Sequence, residues 1–268
     1  REGLSVAINR NEMNELIYFG LANPSQAAPV PTSFFYEPWM TTNFAQYDPD
    51  LANQLLDEIG LDQRDADGFR MRPDGETFFL NFQVSIPEDA WRRIGQLVAD
   101  HWNAVGIKTN YKLIEIGLYN ELRNGNQVDL ASWGLDISDI GEVATRLTNL
   151  RQQWGARASG HLRRQWLQSD GENGEEPPQE IKDLWELGEE FLSATYLSDE
   201  WIALGKEFYT KTFEGLYQIG TIQRPPQPLL FKTNLKNTPP SESSAKWSWS
   251  YRQWVLFLPE QFYFEGDG

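Results

Sequence analysis

The sequence predicts an α/β fold, a mixed sheet flanked by helices, and three stretches carry that prediction. "TFFLNFQV" (77–84) places Phe78, Leu80, Phe82 and Val84 on one side of a strand. A helix follows in which Trp91, Ile94, Leu97, Val98, Trp102 and Val105 keep the 3.6-residue period, beginning at Pro87 and ending at Gly106. "IKTNYKLIEI" (107–116) alternates again, with Ile107, Thr109, Tyr111 and Leu113 on one side, and a short strand near "VDLASW" (128–133) closes the pattern. Strand, helix, strand, helix, strand at these lengths implies βαβ units and a parallel core to the sheet.

The remaining elements fall around that core. "REGLSVAINRNEMNEL" reads as the inside of one amphipathic helix, with Val6, Ile8, Met13, Leu16 and Ile17 as its apolar side. A chain starting in this way is expected to be a piece of a longer protein. "ANPSQAAPVPTSFFYEPWM" (22–40) holds too much proline for a helix or a central strand. In "QYDPDLANQLLDEIGL" (46–61), Asp48 can cap a helix, Pro49 suits its first position, and Leu51, Leu55 and Ile59 share a face. Gly60 is a natural stop. A polar, hairpin-like segment, 62–76, then leads into the first strand.

Beyond the strands, 142–168 has helical character interrupted by Gly155 and Gly160, and "SDGENGEEPPQE" is an acidic exposed loop by composition. Ile181, Leu184, Trp185, Phe191 and Leu192 define one helix, and Trp201, Ile202, Phe208 and Tyr209 the next. "GLYQIGTI" (215–222) reads as a strand, and the end, "KWSWSYRQWVLFLPEQFYF", is unusually aromatic.

Composition excludes several classes of function. The 268 residues carry a net charge of −16, which repels nucleic-acid backbones and anionic lipid surfaces. With no cysteine there is no disulfide, no thiolate nucleophile and no Cys-based zinc site. No run of about 18 apolar residues is present to span a membrane, and no signal peptide is read at the amino end. The 11 Trp, 10 Tyr and 15 Phe imply a packed aromatic core with a few rings left over for ligand stacking. Phosphate-loop, dinucleotide, zincin and serine-hydrolase motifs are absent, so no cofactor is implied. His101 and His161 stand apart from each other and from any obvious partner, which suits structural roles.

One cluster does carry chemistry. "ASWGLDISDIGE" puts Trp133, Asp136, Asp139 and Glu142 just past a predicted strand's carboxyl end, where α/β sheets bind ligands. Carboxylates beside an aromatic ring can grip an ammonium group, and paired carboxylates can cleave a glycosidic bond. Asp139 can equally be the cap of the next helix. The spacing does not match a calcium loop.

Taken in order, these segments resemble the carboxy-terminal portion of the family 5 extracellular solute-binding proteins, the peptide- and nickel-type receptors of ABC importers. "REGLSVAINRNEMNELIYFGLANPS" is similar to the family's "R-x-A-x-x-x-A-I-D-R" helix and following "G-x-A-x-P", with Asn9 where Asp is usual. "YDPDLANQLLDEIGL" resembles "Y-D-P-x-x-A-x-x-L-L-x-x-A-G", and "DGETFFLNF" resembles "D-G-x-x-x-x-L". The segment "IGQLVADHWNAVGIKTNYKLIE" is similar to the helix that ends at "G-I" before a strand.

The resemblance implies one lobe of a two-lobed, class II-like clamshell. Residues 1–232 would be the C-terminal ligand-binding lobe. The aromatic tail, 233–268, would return to an N-terminal lobe lying outside this chain. It implies a non-enzymatic capture protein, periplasmic or extracellular at the membrane face, with any signal or lipid anchor upstream. Its partners would be a peptide or small-molecule ligand and the transmembrane subunits of an ABC permease. In the peptide-binding branch, "G-W-x-x-D-x-x-D-P" follows the corresponding strand, and its first Asp receives the ligand's α-amino group. The resemblance assigns that role to Asp136, a pocket wall to Trp133 and the second Asp to Asp139. Ser132 replaces the Gly and Ile140 the Pro. The ligand class therefore stays open between peptide and oligosaccharide, with a glycoside hydrolase as the enzyme alternative.

Overall fold

A computed structural model describes residues 1–29, 31, 33–85, 89–131, 160–223, 232–238 and 261–265. Its centre is a parallel three-stranded sheet of β2 (Phe79–Val84), β3 (Lys108–Leu113) and β4 (Leu130–Ala131), in the order β3-β2-β4. Phe82 sits opposite Tyr111 and Leu130 in the two ladders. The expected parallel core is therefore present. Elsewhere antiparallel pairing joins β1 (Asn23–Pro24) to β5 (Ile222–Gln223), and β6 (Leu235–Lys236) to β7 (Tyr263–Phe264).

The βαβ crossover helix, α4 (Asp89–Ala104), lies against the sheet with Val98, Ala99 and Trp102 buried. The approach is close at Gly95, where a Cβ would fall 2.4 Å from the Tyr111 ring. Phe82 and Val84 point into this layer, and Ile107 completes it. Pro87 lies outside the described residues. From the same layer, Trp102 Nε1 donates to the Leu4 carbonyl at 2.8 Å, tying it to the amino-terminal helices.

Those helices depart from the sequence reading. The chain forms α1 (Glu2–Val6) and α2 (Arg10–Tyr18), broken at Ala7–Asn9, instead of one continuous helix. Asn9 supplies the reason, since its side chain accepts from Glu12 N at 3.1 Å and starts a new helix. Val6, Ile8 and Met13 are buried as expected, but Leu16 is half exposed.

Helix α3 (Pro49–Glu58) begins as its sequence foretells, with Asp48 accepting from Leu51 N at 2.9 Å. It ends in a Schellman turn: Gly60 takes φ +85°, and Leu61 N donates to Leu56 O at 3.1 Å. Its buried face is Ala52 and Leu56, flanked by Leu51 and Leu55, while Ile59 is 67% exposed. The rotation follows from α1, whose Gly3 lets it approach so closely that a Cβ would lie 3.2 Å from Leu56 Cγ.

A second core is helical. Here α7 (Gln179–Ser193) and α8 (Asp199–Glu214) pack as a hairpin around Phe35. The Phe35 ring stacks on Tyr209 at 4.9 Å and meets Phe191 edge-on at 5.5 Å. Before this pair come α5 (Ile116–Asn124) and α6 (His161–Gln168), followed by the exposed acidic loop. The strand read at 215–222 is mostly turn, and only Ile222 enters a ladder. Leu216 has φ +45°, which turns the chain before Ile222, and Gly220 packs closely against Gln26 and Ala27.

Two buried arginines join the layers. Arg10, 2% exposed, donates to the carbonyls of Ser5, Ala45 and Gly220, each at 3.0 Å, and to Ser5 Oγ at 2.8 Å. Burial pushes its guanidinium down to about 10, so it stays charged at neutral pH, solvated by backbone oxygens. Gln26 extends the network, donating to Ser5 Oγ and receiving Gly220 N at 2.7 Å. Arg70, fully buried, donates to Val105 O at 2.9 Å, Asn53 Oδ1 at 2.6 Å and Leu61 O, and pairs with Asp57.

Candidate ligand-binding site

The carboxyl ends of β2, β3 and β4 lie side by side, the place where a parallel sheet opens a crevice for ligands. Ile114 N reaches Val84 O at 2.9 Å at that end, and Asp129 Oδ2 accepts from Asn81 N at 2.8 Å where β4 begins. Glu115, next in line, is committed to structure. Its carboxylate receives Gly117 N at 2.7 Å and Leu118 N at 3.2 Å at the start of α5. Those two N–H donors hold its carboxyl below the usual carboxylate range.

Strand β2 alternates apolar and polar residues, so Phe82 and Val84 face the core while Gln83 and Ser85 share the other side. Gln83 Oε1 and Ser85 Oγ are both buried, and neither makes a hydrogen bond among the described residues. Unmet polar atoms of this kind carry a free-energy cost of roughly 1–3 kcal/mol each, and a ligand group that pairs with them removes it. Sequence reading passed over both residues. Their only signal was position, as polar side chains at the end of the central strand.

Trp133, Asp136, Asp139 and Glu142 lie outside the described residues. Their place along the chain is nonetheless fixed, because β4 ends at Ala131 and the "SWGLDISD" segment begins at the next residue. His101 proves structural. Its Nδ1 accepts from Asn9 N at 3.3 Å and its Nε2 lies 2.8 Å from Glu12 Oε2, so it links α2 to α4. Among the described residues, no group of three or more His, Asp or Glu is placed to hold a metal ion, and no helix is long and apolar enough to cross a membrane.

A family model described as "Bacterial extracellular solute-binding proteins, family 5 Middle" matches residues 1–154. The chain belongs to the family 5 solute-binding proteins. No curated protein matches it. Among solved structures, this family 5 chain is similar to the oligopeptide-binding protein OppA, at 26% identity and a TM-score of 0.73, over 99% of this chain and 43% of that one. It also resembles the periplasmic binding protein MelB from Agrobacterium fabrum, in complex with stachyose, at 16% identity and a TM-score of 0.61, over 83% of this chain and 33% of that one. A periplasmic oligopeptide-binding protein of an ABC transporter from Thermotoga maritima, with mannohexaose bound, matches at 19% identity and a TM-score of 0.59, over 89% of this chain and 43% of that one. The family 5 chain thus spans less than half the length of each. These likenesses establish the fold expected from sequence, an α/β lobe of a periplasmic binding protein.

Proposed function

We propose that this chain is a lobe of the substrate-binding component of an ABC importer, which captures a peptide or similar small solute between two lobes and hands it to the permease. Residues 1–232 form the ligand-binding lobe in this reading, and 233–268 return to a second lobe. The protein works outside the cytoplasmic membrane and performs no reaction. Ligand held between lobes favours the closed state, which the permease recognises.

The observation that carries the reading is the unmatched pair, Gln83 Oε1 and Ser85 Oγ, at the carboxyl end of the central strand. It adjoins in the sheet the strand that leads into Trp133, Asp136 and Asp139. Asp136 would anchor a ligand ammonium through a charge-assisted hydrogen bond worth about 1.5–3 kcal/mol, with Trp133 as pocket wall and Asp139 beside it. A single lobe presents half a site, so the chain alone should bind weakly.

The neutral character of Gln83 and Ser85 also suits hydroxyl groups, which supports an oligosaccharide as the second reading. The test is a thermal-shift screen on the full-length receptor, with di- to pentapeptides beside neutral oligosaccharides. Ligand at a hundred times its Kd adds about 2.7 kcal/mol of stability. A peptide response lost in Asp136→Ala supports the amine anchor. A sugar response that survives Asp136→Ala but falls in Gln83→Ala supports the second reading. If neither class stabilises the protein, both fail.

A further inference from the structure

Away from the strand ends, α6 and the loop after it border an open cavity of about 570 Å³ lined, among the described residues, by Leu162, Gln165, Gln168, Ser169, Asn173 and Gly174. That volume lies in the range of small-molecule sites. The loop is held firmly. Asn173 N donates to Ser169 Oγ at 2.9 Å, Glu175 N to Leu162 O at 3.1 Å, and Gly171 N to Trp166 O at 2.9 Å. At Gly174, with φ +93°, a Cβ would lie 2.1 Å from Leu162 O, so the loop can press onto the helix only with glycine there.

The lining is chemically uniform. Among the described residues it offers three primary amides and no charged side chain, while the Ser169 hydroxyl is taken up by Asn173 N and by the Trp166 and Asn173 carbonyls. Among the described residues, the Gln168 and Asn173 side chains make no hydrogen bond, whereas that of Gln165 is oriented by its neighbours. An arginine can only donate, so Arg164, 3.2 Å from His161 Nδ1, makes that nitrogen the acceptor. The proton of the neutral imidazole then sits on Nε2. The Gln165 amide, 3.1 Å from Nε2, must therefore present its oxygen to the ring. Its NH2 is left for the cavity. Burial, and then the charges of Arg164 and Arg123, hold His161 below the usual histidine range and keep it neutral at pH 7.

We propose that this cavity is a second ligand site, for a small neutral polyhydroxylated molecule such as a single sugar ring. The Gln168 and Asn173 amides each offer a donor and an acceptor side by side, the pattern that adjacent hydroxyls match, and Gln165 adds a donor. Recognition is by hydrogen bonds. Stacking is disfavoured because Lys182 lies 4.7 Å from the Trp166 ring centre and occupies a face of the nearby indole. His161 acts as a positioning residue for Gln165. This site stands independently of the cleft described above.

The test is a nuclear magnetic resonance titration of the full chain with methyl glucoside, following the side-chain NH2 signals of Gln165, Gln168 and Asn173. Saturable shifts of these three signals are expected. Gln165→Ala should weaken binding about tenfold, the loss of one hydrogen bond of about 1.4 kcal/mol. His161→Phe should weaken it while leaving the Gln168 and Asn173 shifts in place. Asp136→Ala should change nothing, which separates this site from the cleft. Absence of shifts overturns the proposal. Equal shifts with glycylglycine, or loss of binding in Asp136→Ala, overturn it as well.

Discussion

Replacing Arg70 by methionine removes a buried cation while keeping most of the side-chain volume, so the loss reports on hydrogen bonding and not on a cavity. The guanidinium serves Val105 O, Leu61 O and the Asn53 side chain, and it pairs with Asp57. Two of these partners have relief: Arg64 also reaches Val105 O at 3.4 Å and Asn53 Oδ1 at 3.0 Å. Asp57 is 52% exposed and can return to water. Leu61 O loses a charged donor outright. Hydrogen bonds to a charged group are worth about 1.5–3 kcal/mol each, and here one is lost outright and two are only partly replaced. We therefore expect Arg70→Met to lose about 3–5 kcal/mol. Urea unfolding checks this, since a slope of about 3 kcal/mol/M converts the loss to a midpoint shift of roughly 1–1.7 M. Asp57→Asn is the control and should lose under about 1 kcal/mol, because its carboxylate is half in water. A loss below about 1 kcal/mol for Arg70→Met, or an equal loss in both variants, would refute the reasoning by placing the energy elsewhere.

Three further outcomes follow from the fold. Asp48→Ala removes the cap of α3 and should cost about 1 kcal/mol in thermal unfolding, with no change in ligand response. Gly205→Ala would put a Cβ 2.3 Å from Phe35 Cε1 in the helical core. Overpacking of that kind costs about 1–3 kcal/mol, and calorimetry should show a lowered Tm. The carboxyl of Asp65 is held below its ordinary value by the Thr77 hydroxyl, at 2.6 Å, and by the Phe69 and Asp67 N–H groups. Its stabilising contribution is present above the unfolded value, about 3.9, and is lost as pH falls through the lower folded value. Asp65→Asn should therefore flatten the acid limb of a stability-versus-pH curve, and an unchanged limb would count against that linkage.

Local signals were the legible ones. Asp48, Pro49 and Gly60 act within their own helix, so α3 could be located from sequence alone. Its rotation could not, because the burial of Ala52 and Leu56 over Ile59 is set by the close approach of α1 at Gly3. The break between α1 and α2 was written in Asn9, but the apolar residues on either side disguised it as one face. At 215–222 alternation imitated a strand, and the left-handed turn at Leu216 decided otherwise. The motif at 133–139 was visible as residue types in order. The importance of Gln83 and Ser85 was not, because a polar atom lacks a partner only when everything packed around it is known.

The Arg10 network also bears on how the chain is made. One of its acceptors, Gly220 O, lies 210 residues further along the chain. At 5–20 residues per second a ribosome needs roughly 10–40 s to cover that distance. Throughout that interval the guanidinium lacks part of its cage, and the amino-terminal layer cannot close around it. Closure of this layer around Arg10 therefore waits until the chain beyond α8 has been made.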